Sequence, residues 1–202
     1  MQTLFEIWLR SGIMDNKLWD TTTKLISKWT HRIQVVSLWS SVVISLTNAA
    51  ATYAHEADES ILSVSINVPT VKSELNIDLK MTAEFLFHTW YRMTFIIPHP
   101  NEFSPPVFIV AMKGIASVIE IWSSQEGKRV SGNTLLKMYG EWLFDGAMNL
   151  IPGYEEGRSV AVGSLCRIFS KPQQTQFKDN YLAAFYRCIM KVRQFFTLGN
   201  DK

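Results

Sequence analysis

The chain has 202 residues, of which 47% are hydrophobic and 12% aromatic, and its formal net charge is +2. This composition excludes a disordered chain, and the lack of a concentrated basic segment makes nucleic acid a poor partner. Two cysteines without a CxxC pair and four scattered histidines give no zinc-site spacing, while two thiols and no signal peptide favour a reducing compartment, which we expect to be the cytoplasm.

Helical periodicity runs through most of the chain and predicts about eight helices. The first helix is already running at Thr3, the second extends roughly from Leu18 to Trp29, and the third covers Ile33 to Ala54. The third segment has no charged residue and is long enough to cross a bilayer, so a membrane span is an alternative. Its many polar residues, and an apolar stripe at helical spacing, favour a buried helix and no integral membrane span.

Residues 55–78 read as a loop region with one extended segment inside it. Leu62, Val64, Ile66 and Val68 alternate with polar residues, which is typical of a strand. Because no partner strand is evident, we expect a short extended segment lying on the helices. Leu79–Ile97 then gives the clearest helix, with two apolar rows that predict cover on two sides.

The second half of the chain continues with helices separated by turns. Ser104 and Pro105 suit the cap and first position of a helix that reaches about Ser124. A linker at 123–133 precedes a helix from Thr134 to about Met148, and the last helix runs roughly from Asp179 to Phe196. Within the helix after Ser104, the residues predicted to point inward are Val107, Ala111, Gly114, Ile115, Val118 and Trp122.

The segment Gly153–Ser170 carries two acids, two arginines, three glycines and a cysteine, yet each has a structural interpretation. Glu155 and Glu156 fit the first turn of a helix, where acids offset the helix dipole, and Glu155 could pair with Arg158. Gly163 would thin the helix, and apolar residues from Ala161 to Phe169 would point inward.

No catalytic, cofactor or metal residue is expected from the sequence. Cys166 lies in an apolar helix, where a thiol is usually buried and inert, and no histidine is near it in sequence. GxGxxG and GxxxxGK[ST] phosphate loops are both absent. His88 fits a core or groove position, and Asp145 fits either a buried acid with a partner or a helix-end acid. The sequence therefore predicts no cofactor.

Several blocks in order resemble one family. They are "LFEIWL" (4–9), "ISKW" (26–29), "LWSSVVISLT" (38–47), "FHTWYRM" (87–93), "VFIVAMKGIASVIE" (107–120), "LLKMYGEWLFDGA" (135–147), "GYEEGRSVAVGSLCRIFSK" (153–171) and "YLAAFYRCI" (181–189). Together they resemble the amino-terminal helical region of Ral GTPase-activating protein subunits, of the beta subunit most closely. The resemblance fades between Asn48 and Leu79, and 123–133 is short where family members carry a long polar insert.

The resemblance implies a non-catalytic scaffold segment of a larger protein. It implies a heterodimer with the catalytic alpha subunit, and through that subunit an indirect action on Ral-type small GTPases. Catalysis in the family belongs to a carboxy-terminal Rap/Ran-GAP-like domain, and no block of this chain resembles that domain. We therefore expect an all-α fold over residues 1–202, with antiparallel helix pairs stacked as an irregular HEAT/armadillo-like solenoid.

Three other functions remain open at the sequence level. The chain could be a free-standing helical-repeat adaptor with unrelated partners. It could be an enzyme that uses Cys166 or a His/Asp pair assembled by the fold. It could be a membrane protein that spans the bilayer with Ile33–Ala54.

Overall fold

The computed structural model describes residues 2–54, 61–69, 74–124 and 130–199. These residues form eight α-helices, one 3₁₀ turn and two strands, so the predicted helical class is confirmed with the addition of a small sheet. The elements are α1 (Gln2–Arg10), α2 (Asn16–Ser27), α3 (Ile33–Tyr53), β1 (Leu62–Pro69), β2 (Glu74–Met81), α4 (Ala83–Thr94), the 3₁₀ turn (Pro100–Glu102), α5 (Pro105–Ser124), α6 (Gly132–Met148), α7 (Glu155–Ser170) and α8 (Asp179–Gly199). The chain divides into two compact units, Met1–Pro98 and His99–Lys202.

The first unit contains an antiparallel hairpin that the sequence interpretation missed. β1 pairs with β2 in a register that sets Val64 opposite Leu79 and Ile66 opposite Ile77. Their side chains are buried, and β1 packs on α3. The expected extended segment without a partner strand is therefore wrong, because residues 74–81 alternate with period two as well and supply that partner.

The same hairpin corrects the start of the next helix. Leu79 belongs to β2, and α4 begins only at Ala83, after Thr82 has accepted a hydrogen bond from the Phe85 amide at 3.2 Å. That bond satisfies one of the amides left open at a helix start. The second apolar row of α4 is only partly covered, since Tyr91 is 53% exposed.

Two indole groups tie α3 to α4. Trp39 donates from Nε1 to the Met93 carbonyl at 2.9 Å, and Trp90 donates to the Thr47 hydroxyl at 3.0 Å. Trp39 and Thr47 are both buried. A buried indole N–H needs such a partner, so these bonds leave neither indole donor unsatisfied where α3 meets α4.

The first two helices contact each other through tryptophans. Trp8 of α1 and Trp19 of α2 meet edge to face with ring centroids 5.3 Å apart. Trp19 is fully buried and donates to the Ile13 carbonyl at 2.9 Å, while Asp15 caps α2 by accepting from the Leu18 amide. The predicted second helix is confirmed, with its observed bounds about two residues earlier than expected.

The second unit is built on α5, α6 and α7. All six residues predicted to point inward on α5 are buried, and α5 starts at Pro105 as expected, with the Ser104 carbonyl accepting from Val107 and Phe108. Two ion pairs join α5 to α7, Lys113–Glu156 at 2.8 Å and Glu120–Arg167 at 3.1 Å. Because the residue numbers rise together along both helices, α5 and α7 run parallel.

The segment that leads into α8 contacts the start of α6. The Gly132 amide donates to the Gln173 side chain at 2.7 Å, and Asn133 bonds the Gln176 carbonyl and the Lys178 amide. These side-chain bonds satisfy polar groups at a helix start that would otherwise need water. Of the predicted linker, Ser123 and Ser124 lie in α5 and Gly132 and Asn133 in α6, while residues 125–129 fall outside the described part of the chain. Within the predicted loop region 55–78, residues 55–60 and 70–73 fall outside it as well.

Candidate functional site

The segment Gly153–Ser170 forms α7 and the turn before it, as the sequence indicates. Gly153 has φ of 92°, a left-handed conformation that favours glycine, and the Tyr154 amide closes the turn onto the Ile151 carbonyl. Glu155 and Glu156 occupy the first turn, and Arg167 lies in the last turn. Ala161, Leu165 and Ile168 are buried, whereas Phe169 is half-buried.

Glycine permits a close approach of α7 to α5, but at a position other than the expected one. A Cβ at Gly157 would lie 2.4 Å from the Phe108 ring, a distance that real Cβ atoms do not show. Gly163, which the sequence interpretation singled out, has open space beside it. One turn further along the same side of α7, Gly146 of α6 lies against Ala161, and a Cβ at Gly146 would also meet the Phe108 ring at 3.4 Å. Small residues therefore set the spacing of α5, α6 and α7.

Glu155 and Arg158, which the sequence predicts to pair, each also have a backbone partner. The Glu155 carboxylate accepts from the Gly153 amide at 2.9 Å, and Arg158, which is buried, donates to the Asn149 carbonyl at 2.9 Å. Hydrogen bonds from the backbone amides of Glu155 and Gly153 lower the pKa of the Glu155 carboxyl, with a smaller contribution from the Arg158 charge. Both side chains thus fix the turn between α6 and α7.

One group of three potential metal ligands lies together within the described part of the second unit. Donor atoms of His99, Glu141 and Asp145 lie within 4.8 Å of one another, and Asp145 is 3.4 Å from the His99 Nε2. Glu141 and Asp145 are one turn apart on α6, and His99 caps the 3₁₀ turn. The Asp145 side chain is 55% exposed and lies in the last turn of α6, so of the two alternatives the structure favours the helix-end acid, with His99 as a neighbour.

The hydrogen bonding of His99 favours an imidazole–carboxylate pair at this position. Its Nδ1 accepts from the Asn101 amide at 3.2 Å, which leaves the proton of the neutral ring on Nε2, facing Asp145. A cation bound at Nε2 would have to displace this proton and reverse the tautomer, at the cost of the bond from Asn101. The sequence interpretation missed this cluster, because nothing in the sequence links position 99 to positions 141 and 145.

The two cysteines occupy different environments. Cys166 is exposed, so the expectation of a buried thiol is wrong there, whereas Cys188 of α8 is buried. Burial raises the pKa of the Cys188 thiol, which disfavours the reactive thiolate. Helix α7 turns Leu165 and Ile168 inward, and the intervening Cys166 falls on the outer side.

His88 lies on α4 at the border of the first unit's core. It is half-buried and meets Trp19 at 6.0 Å between ring centroids, which agrees with the expected core or groove position. Burial lowers the pKa of His88, and the nearby Arg92 lowers it further against an opposing effect of Glu84. The neutral imidazole is therefore the form that this packing favours.

Two helices, Ile33–Tyr53 and Pro105–Ser124, are long and apolar enough to cross a membrane by length and composition. In each helix, 56% of the most apolar window is buried within the fold. Core helices that never meet a lipid pass the same test, so the criterion alone is weak evidence for a span.

Comparison with known proteins connects the chain to one family. Residues 1–56 match the family described as the RALGAPB N-terminal domain. The chain is 31% identical over 199 residues to a Rap-GAP domain-containing protein of Dictyostelium discoideum, an alignment that covers 95% of this chain and 12% of that protein. It is 27% identical over 109 residues to the Ral GTPase-activating protein subunit beta of Homo sapiens and of Rattus norvegicus, which covers 52% of this chain and 7% of each relative.

No solved structure matches the chain. The chain spans 12% and 7% of the lengths of these relatives, so each alignment covers a small part of a much longer protein. The resemblance to the amino-terminal region of Ral GTPase-activating protein subunit beta that the sequence blocks indicate is confirmed, with residues 1–56 as the part that matches the family.

Proposed function

We propose that this chain is a non-catalytic helical scaffold segment of a Ral GTPase-activating protein complex. It would bind the catalytic alpha subunit in the cytoplasm and so support GTP hydrolysis by Ral-type small GTPases. The observation that carries the proposal is the match of residues 1–56 to the RALGAPB N-terminal domain, extended by similarity along 95% of the chain to a Rap-GAP domain-containing protein.

The chemistry of Cys188 and of the His99–Asp145 pair supports a non-catalytic role. Cys188 is buried with a raised pKa, and His99 faces Asp145 with the proton of its neutral form. Neither arrangement activates a nucleophile. A partner would therefore bind the surfaces of the helices.

We also propose that α5/α6 and α7/α8 are consecutive helix pairs of an irregular solenoid. Two observations support this arrangement. α5 runs parallel to α7, as equivalent helices of successive repeats do, and α6 packs against α5, α7 and α8. A solenoid presents extended surfaces along its length, which suits a scaffold.

Hydrolysis of Ral-bound GTP tests the proposed function. The rate is measured with this chain alone, with the catalytic subunit alone, and with both. We expect no acceleration by the chain alone and a detectable change when the chain joins the catalytic subunit. Acceleration by the chain alone would contradict the non-catalytic role, and a coherent set of unrelated partners in cells would favour the alternative of a free-standing helical-repeat adaptor.

A further inference from the structure

Helix α2 and the turn after it leave a row of large apolar side chains open to solvent. Leu18, Leu25 and Trp29 are 48%, 53% and 45% exposed. Their spacing of seven and four residues places them along one side of a helix. The core-facing side of α2 is separate and buries Trp19 and Ile26, so the exposed row is additional to the residues that hold α2 in the fold.

A second row, of lysines, borders the first. Lys17, Lys24 and Lys28 each directly precede one member of the apolar row and repeat its spacing. All three are exposed, and none forms an ion pair with any residue that the structure describes. We refer to Leu18, Leu25, Trp29, Lys17, Lys24 and Lys28 together as the α2 face.

The acidic residues of this region are engaged elsewhere. Asp15 uses its carboxylate to cap α2 through the Leu18 amide, and Asp20 pairs with Arg92 at 2.5 Å. Neither therefore neutralises the lysine row. Single exposed apolar residues are ordinary on a protein surface, but an aligned apolar row with an unneutralised basic border is a feature of interaction surfaces.

We propose that the α2 face binds an acidic amphipathic helix of a partner protein. Apolar residues of that helix, one every three or four positions, would cover Leu18, Leu25 and Trp29, as in helix-in-groove and coiled-coil contacts. Glutamates or aspartates beside them would pair with the three lysines and fix the orientation of the helix. The inference rests on the proposed function only for the existence of a protein partner, and deepens it by giving the chemistry of the contacting segment.

The surroundings of Trp29 favour a helix over a lipid surface. The Arg32 guanidinium lies 4.7 Å from the centre of the Trp29 ring, and His31 stacks on that ring. A ring engaged by two polar groups is poorly placed to enter the acyl region of a bilayer, as interfacial tryptophans do. The same ring, beside a basic border, is well suited to a protein contact, where tryptophan often dominates binding.

A designed peptide tests this proposal directly. A fluorescein-labelled peptide of three heptads, with Leu at the a and d positions and Glu at e and g, is titrated with the full chain and followed by anisotropy. The matched probe is the same peptide with Lys at e and g. We expect the acidic peptide to bind at least tenfold more tightly in low salt, with the difference shrinking as salt is raised.

Charge-reversal variants locate the contact. Lys17→Glu, Lys24→Glu and Lys28→Glu together should reverse the preference between the two peptides. The control carries Lys137→Glu, Lys178→Glu and Lys191→Glu, three exposed lysines of the second unit, and should keep the original preference. Leu18→Asn with Leu25→Asn should weaken both peptides at least tenfold, with circular dichroism verifying that each variant is folded.

Other outcomes would overturn the proposal in distinct ways. Equal binding of both peptides, or a preference that survives reversal of the α2 lysines, would remove the helix-docking role. If the chain binds phosphatidylserine vesicles but neither peptide, and the Lys17→Glu, Lys24→Glu, Lys28→Glu variant loses vesicle binding, the α2 face is a membrane-binding surface. If the chain self-associates but binds neither peptide, and the same triple lysine variant is a monomer, the α2 face binds a second copy of the chain.

The catalytic subunit separates this inference from the proposed function. If the triple α2 variant binds that subunit as tightly as the original chain and neither peptide binds, the docking inference fails and the scaffold function stands. If the acidic peptide binds as expected but the catalytic subunit does not, the docking inference stands and the identity of the partner changes.

Discussion

Helices α5 and α2 place their apolar side chains in different surroundings. α5 packs its apolar side into the second unit, and each of its six predicted inward residues is buried. α2 buries Trp19, Thr22 and Ile26 on one side while Leu18 and Leu25 remain about half exposed on another. An apolar row at helical spacing therefore marks a surface that suits a partner, whether that partner lies in the same unit or outside the chain.

The largest expected effect is a loss of stability when a buried aliphatic residue is truncated, compared with an exposed one. Ile115→Ala on α5 should lower the free energy of unfolding by about 3 kcal/mol, because it removes buried apolar volume and leaves a cavity. Leu25→Ala on α2 should cost less than about 1 kcal/mol, because half of that side chain is already in water. Urea denaturation measures both, and similar losses in the two variants would contradict the distinction.

A smaller effect is expected where α7 meets α5. Gly157→Val should cost about 2–3 kcal/mol, because its Cβ would overlap the fully buried Phe108 ring. Gly163→Ala is the matched control, and it should stabilise the protein by up to about 1 kcal/mol, since the site is open and alanine favours helix. Hydrogen exchange of α5 and α7 amides would locate the change. A neutral Gly157→Val would mean that the two helices lie farther apart.

A pH-dependent contribution is expected from His88 in the first unit. Its pKa is lowered in the folded state by burial and by Arg92, so below its ordinary value of 6.5 the unfolded chain binds a proton that the folded chain resists. Stability should therefore fall as the pH drops through 6.5 towards the lowered folded pKa, and level off below it. His88→Gln should reduce this slope in urea midpoints, and an unchanged slope in this variant would contradict the effect of burial on His88.

The smallest perturbation is chemical labelling of the two thiols. Ellman's reagent should modify the exposed Cys166 in the folded protein, while Cys188 should react only after unfolding, because it is buried and its pKa is raised. Cys166→Ser should abolish the fast phase and leave the slow one. Two fast phases in the folded protein would contradict the placement of α8.

Local signals predicted much of the fold. Ser104 and Pro105 gave the start of α5, the acids at 155 and 156 gave the first turn of α7, and Asp179 gave the start of α8. These signals depend on a few neighbouring residues, whose backbone hydrogen bonds are satisfied locally. Such helix ends can therefore be predicted from the sequence.

Features that depend on distant residues were not predictable in the same way. Leu79 fits a helical row and a strand equally well, and only its pairing with Val64 decides. The choice between Gly157 and Gly163 depends on where Phe108 lies, and the cluster of His99 with Glu141 and Asp145 depends on how the 3₁₀ turn meets α6. Three-dimensional neighbours decide each case.

Binding to the catalytic subunit of a Ral GTPase-activating complex is the measurement that decides the proposed scaffold role. The chain is titrated into that subunit, and complex formation is followed by sedimentation velocity. The Lys17→Glu, Lys24→Glu, Lys28→Glu variant is measured in the same way for comparison. We expect a stoichiometric complex with the original chain and at least tenfold weaker binding with the variant. The absence of any complex with the original chain, at concentrations where both proteins are folded, would contradict the scaffold role.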